Sequence, residues 1–143
     1  MNSVKYYALK KSSIIRGFNS YFDVIKNSKQ FTTNYLKVFL RINSKSNLGF
    51  ESPLIDCKYK VGFIISKKIF QKANDRNSVR RLMKESFRLN KEKYFKVLMC
   101  MDFDILFSFK KDFNPSQTKL NFSLIESEIN EALAKVTHFM LKN

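Results

Sequence analysis

An α+β domain with helices laid over a small sheet is the fold class this sequence predicts, and three observations carry it. Apolar residues recur at helical spacing in three separate stretches, and they alternate in strand fashion in others. These stretches follow one another as helix, strands, helix, strand, helix. Of the 143 residues, 44% are apolar and 15 are Phe, enough for a real core in one unit spanning residues 1–143.

In chain order, residues 1–12 set Lys5, Lys10 and Lys11 around Tyr6 and Tyr7 without a period, which suggests a mobile basic lead-in. From Ser12 or Ser13, either able to cap, Ile14, Ile15, Phe18, Tyr21, Phe22 and Ile25 predict a first helix, broken by Asn27 and Ser28. Its aromatic residues suit a core, and Tyr21 is also placed to face outward and stack on a base. Residues 35–42 alternate: Leu36, Val38, Leu40 and Ile42 share one face, Tyr35, Lys37, Phe39 and Arg41 the other. That second face interleaves rings with cations, the composition of a single-stranded nucleic-acid surface, or of an ordinary half-exposed edge strand.

Residues 43–59, with Gly49 and Pro53 among Ser and Asn, predict a long loop; a further strand within 48–59 has only a weak signal. Residues 60–66 form the next strand, with Val61, Phe63 and Ile65 inward and Gly62 permitting close backbone approach on the opposite side. A helix then runs from a cap at Asn74 or Asp75 to about residue 93. A strand over 103–110 and a helix over 122–141 complete the chain; Ser123 and Glu126 fit a capping box.

The helix after residue 74 is the distinctive element. At about 100° per residue, Val79, Leu82, Met83 and Phe87 fall on one side and Asn77, Arg80, Arg81, Lys84, Arg88 and Lys91 on the other. A solvated face normally mixes signs at i,i+4, yet only Glu85 interrupts this basic run, so its repulsion is balanced best by a polyanion. The whole chain agrees: 27 Lys and Arg against 12 Asp and Glu give a net charge of +15, which favours nucleic acid or an anionic surface. No apolar run approaches the roughly 20 residues of a membrane span, and Met1 to Arg16 lacks an apolar signal core, so a soluble, cytoplasmic protein is expected. Cys57 and Cys100 lack metal spacing and read as free thiols.

Val61-Gly62-Phe63-Ile64-Ile65-Ser66-Lys67-Lys68, followed after a short connection by Arg76-Asn77-Ser78-Val79-Arg80-Arg81-Leu82-Met83-Lys84-Glu85-Ser86-Phe87-Arg88, resembles the signature of the bacterial ribonuclease P protein subunit. That signature is V-G-x-x-x-S-K-K, then R-N-x-x-K/R-R-x-x-R-E-x-x-R. Phe70 stands where the family usually has glycine, Lys84 where it has arginine, and Ile25 where it has an aromatic residue. The resemblance implies the order α-β-β-β-α-β-α, a mixed four-stranded sheet and a left-handed βαβ crossover.

It also implies a role. In that family the RNA subunit, with Mg²⁺ bound mainly by the RNA, hydrolyses precursor tRNA to free the mature 5′ end, and the protein positions the partners. Carried over by residue, Lys67, Lys68, Arg76, Asn77, Arg80, Arg81, Lys84 and Arg88 would bind the RNA subunit, and Tyr21, Lys37, Phe39 and Arg41 the single-stranded 5′ leader of precursor tRNA. No protein catalytic residue, protein metal site, membrane or small-molecule substrate is expected. Phe39 in particular is expected to present an open ring whose removal changes stability little. Two other classes stand beside this one. A general RNA-binding or ribosomal-type module would suit charge and aromatics equally; a metal nuclease would use Asp102 and Asp104, two apart at the entry to a strand, with His138 the sole histidine and distant on the last helix.

Overall fold

A computed structural model of the chain describes residues 9, 11–45, 58–96 and 101–142. After a single 3₁₀ turn, Lys11–Ser13, come α1 (Phe18–Lys26), β1 (Lys29–Thr32), β2 (Leu36–Lys45), β3 (Lys58–Ile64), α2 (Ala73–Phe95), β4 (Met101–Phe109) and α3 (Phe122–Lys142). The four strands make one sheet in the order β1-β2-β4-β3, with β3 and β4 parallel and the other neighbours antiparallel. This is the α+β architecture and element order expected. The lead-in over residues 1–12 and the loop over 43–59 fall largely outside the described residues, as do Cys57 and Cys100.

Alternation decides which face of the sheet each residue serves. Leu36, Val38 and Leu40 of β2, Val61 and Phe63 of β3, and Phe103, Ile105 and Phe107 of β4 are buried on one face under α2 and α3. From α2 come Val79, Met83 and Phe87, and from α3 Ile125, Ile129, Leu133 and Val136. Phe87 is the hub of the aromatic contacts, with ring centroids 5.9 Å from Phe107, 6.0 Å from Phe63 and 5.8 Å from Tyr59. Asn90 donates to Glu126 and Tyr94 to Asn130, each at 3.0 Å; because both pairs advance together, α2 and α3 run side by side in the same direction.

Three local expectations are corrected and one strand is added. The first helix begins at Phe18, because Gly17 takes φ 91° and interrupts the run, while Ile15 donates its N–H to the Val61 carbonyl at 2.7 Å and Ile14 bridges to β3. The β-branched pair therefore extends the edge of the sheet instead of opening a helix. The strand sought within 48–59 lies outside the described residues except for 58 and 59, which open β3; a strand with little sequence signal is β1, whose Lys-Gln-Phe-Thr carries one apolar side chain, with Phe31 paired to Val38 and 5.5 Å from Phe139. α2 starts at Ala73 with Lys72 before it and no side-chain cap, so Asn74 and Asp75 lie inside the helix. For α3 the cap is Asn121, whose side chain accepts the Leu124 N–H at 2.9 Å, whereas Glu126 is occupied by Asn90.

Phe70, in the place of a glycine, has a structural use. Its ring is buried against Phe109 at 5.1 Å and Phe113 at 6.0 Å, closing one end of the core. Ser66 makes the tight connection possible: its carbonyl accepts the Phe70 N–H at 2.9 Å and its hydroxyl the Lys68 N–H at 3.1 Å.

Candidate nucleic-acid interface

The basic side of α2 begins with an arginine spent on local structure. Arg76 Nη1 donates to the carbonyls of Phe70 at 3.0 Å and Gln71 at 2.9 Å, so its guanidinium pins the connection onto the first turn of the helix. Exposed Asn77 accepts from Arg80 at 3.3 Å, which aims that guanidinium along the helix surface. Arg81 is exposed and Lys84 half-exposed. Arg88 forms a two-pronged pair with Glu85, and this pairing raises the Arg88 pKa and lowers that of Glu85. Among the described residues, Arg80, Arg81 and Lys84 enter no ion pair. Lys67 and Lys68 are exposed at the turn leaving β3, ahead of the same helix. The result is a cationic flank beside the buried face of Val79, Met83 and Phe87.

The opposite face of the sheet carries the second group. Residues opposed in register put Phe39 against Leu106, Arg41 against Asp104, and Gly62 against Leu106. Phe39, Leu106, Ile15 and Val24 form a small buried cluster, flanked by half-buried Tyr21, Ile25 and Ile64. A Cβ on Gly62 would stand 2.9 Å from Tyr21 Cε1 and would collide with Leu106, so only glycine lets α1 lie this close. Tyr21 and Phe39 thus lie in one cluster between α1 and the sheet. The openness of Phe39 is corrected: only 6% exposed, its ring helps hold α1 to the sheet. Half-exposed Lys37 and Arg41 flank it.

Arg41 organises the polar part of this face. Asp104 Oδ2 accepts from Arg41 Nε at 3.0 Å and Nη2 at 2.7 Å, and from Asn43 at 3.1 Å; Asp23 of α1 accepts from Arg41 Nη1 at 2.7 Å. Bonding to Asp23 and to Asp104 raises the Arg41 pKa further above its ordinary value. Beside this network lies a cavity of about 360 Å³ lined by residues 14–16, Ser20, Asp23, Val24, Arg41, Lys60 and Asp104. Sequence reasoning missed Asp23, Arg16 and Lys60; alternation from Gly62 would have put Lys60 on the same face of β3, and the register sets both Lys60 and Arg41 opposite Asp104. Asp23 had no such signal, since its pairing depends on where α1 crosses the sheet.

The acidic pair fits a cation poorly. Asp104 Oδ2 already accepts from two guanidinium N–H groups and from Asn43, and Asp102 accepts from Asn43 at 3.3 Å. His138 is exposed on α3, which covers the other face of the sheet.

A family model described as Ribonuclease P matches residues 9–137. The chain belongs to the ribonuclease P protein family. Among its relatives, the ribonuclease P protein component of Baumannia cicadellinicola is 39% identical over 79 residues, 55% of this chain and 56% of that protein. The component of Legionella pneumophila strain Corby is 32% identical over 82 residues, 57% of this chain and 62% of that protein. The chain thus spans somewhat over half the length of these relatives. The fold is that of the Staphylococcus aureus RNase P protein, with a TM-score of 0.60 at 19% identity over 88% of this chain and 95% of that one. The Thermotoga maritima RNase P protein gives 0.58 at 23% identity, over 80% and 89%. No helix among the described residues is long and apolar enough to cross a membrane.

Proposed function

We propose that this chain is the protein subunit of a cytoplasmic ribonucleoprotein ribonuclease P, an endoribonuclease that removes the 5′ leader of precursor tRNA. The observation that carries this is the flank of α2, where Arg80, Arg81 and Lys84 stand without carboxylate partners among the described residues, on a family signature. Such cations neutralise phosphates of the RNA subunit and fix register, together with Lys67, Lys68, Asn77 and, when released from Glu85, Arg88. Arg76 contributes chiefly by holding the start of α2 in place. Catalysis belongs to the RNA and the Mg²⁺ it binds; the protein supplies charge and position. The groove between α1 and the sheet takes the leader, with Lys37, Arg41 and Tyr21 at its surface and Phe39 as its buried support.

Reconstitution with and without a ribonuclease P RNA tests this reading. Precursor tRNA cleavage is expected only when the RNA is present, and Asp102→Asn should leave the single-turnover chemical step unchanged. Cleavage by the protein alone, or loss of that step with RNA binding intact, would instead identify a protein nuclease.

A further inference from the structure

Arg41 is shared between two carboxylates of opposite character. Asp104 is a buried partner, its side chain 6% exposed, and it takes both Nε and Nη2. Asp23 is an outer partner, its side chain 65% exposed, and it takes only Nη1. Separating Arg41 from Asp104 would strand a buried charge, which is costly. Separating it from Asp23 would return an exposed carboxylate to water, which costs little. One contact is fixed by burial; the other is exchangeable.

The exchangeable contact faces the 360 Å³ cavity, at the small end of the range for ligand sites. Exposed Arg16 and Lys60 line it with Arg41, so three cations face the two carboxylates Asp23 and Asp104. Displacing Asp23 would leave these cations against Asp104 alone, with Arg41 Nη1 pointing at an acceptor site. A phosphodiester oxygen accepts the same charge-assisted hydrogen bond as a carboxylate oxygen.

We propose that Asp23 occupies, in the RNA-free protein, the place of an RNA phosphate on Arg41, and that a phosphodiester entering the groove between α1 and the sheet displaces it. This rests on the leader reading of that groove. Asp23 then sets leader affinity by competition: the RNA must replace an internal anion, while Asp104 holds the guanidinium in position throughout.

The test uses the complex reconstituted with the RNA subunit and measures affinity for a leader-bearing precursor tRNA and for mature tRNA. Asp23→Asn should tighten the leader-bearing ligand about three- to tenfold and leave mature tRNA unmoved, whereas Asp23→Glu, which keeps the competing charge, should stay near wild type. In parallel, side-chain NMR should show Arg41 Nη signals of the free protein moving on Asp23→Asn in the direction that a short single-stranded RNA moves them in wild type. If wild type prefers the leader-bearing ligand and Asp23→Asn leaves that preference unchanged or weaker, displacement is overturned and the leader reading stands. If wild type itself shows no preference for a leader, both are overturned.

Discussion

The two faces of the sheet are built in opposite ways. Under α2 and α3 the face is large and aromatic, with Phe87, Phe103 and Phe107 fully buried among interlocking rings. Under α1, among the described residues, only Ile15, Val24, Phe39 and Leu106 are buried as apolar groups, beside an ion network and a cavity. The first arrangement fixes a structure, since close-packed side chains do not rearrange in small steps. The second leaves α1 held by few contacts and by an exposed ion pair, which suits a surface that must admit another molecule.

Substitutions sharpen this contrast. Phe87→Ala should destabilise the fold by about 3 to 5 kcal/mol in denaturant unfolding, as expected when a fully buried ring leaves a cavity. Phe39→Ala should cost about 3 kcal/mol or less, because its site lies under one short helix that can settle into the gap. Equal losses at the two positions would break the distinction between the faces. Glu128→Ala should cost about 1 to 3 kcal/mol: this buried carboxylate accepts from Thr33 Oγ1 at 2.6 Å and the Tyr35 N–H at 2.7 Å, tying α3 to the β1–β2 turn.

The smallest effect belongs to the exposed pair on α2. Bonding to Arg88 holds the Glu85 carboxyl below its ordinary value of 4.5, so the pair adds stability above that pH and loses it as pH falls through the lowered folded value. Glu85→Gln should therefore cost a few tenths of a kcal/mol at pH 7 and nothing at strongly acid pH. The same substitution frees Arg88 and should modestly tighten binding of the RNA subunit, read by titration at fixed salt.

Much of this contrast was legible in the sequence, for identifiable reasons. Period-2 alternation in residues 35–42 separated Leu36, Val38 and Leu40 from Lys37, Phe39 and Arg41, and the structure keeps that division. Gly62 was legible because close approach excludes a Cβ there. The helical stripe on α2 was legible because packing and charge both repeat near 3.6 residues, except at Lys91, expected on the charged side and buried in the structure. What was lost depends on tertiary contact. β1 has only Phe31 to declare it, and its place is set by pairing with β2 and by the ring of Phe139. The burial of Phe39 depends on Val24 arriving from α1, and the Asp23–Arg41 pair depends on the same crossing. Ile14 and Ile15 matched a helical period until Gly17 and the edge of β3 decided otherwise.

The salt dependence of binding to the RNA subunit tests most directly whether the α2 flank is where this protein meets phosphate. Each phosphate contact contributes about 0.7 to 0.9 to the slope of log affinity against log salt, so Arg80→Gln with Arg81→Gln should weaken binding and reduce the slope's magnitude by about 1.4 to 1.8. The fold should be unaffected, since both side chains lie outside the core. An unchanged slope in a folded double variant would contradict the assignment and place the RNA contact on another surface.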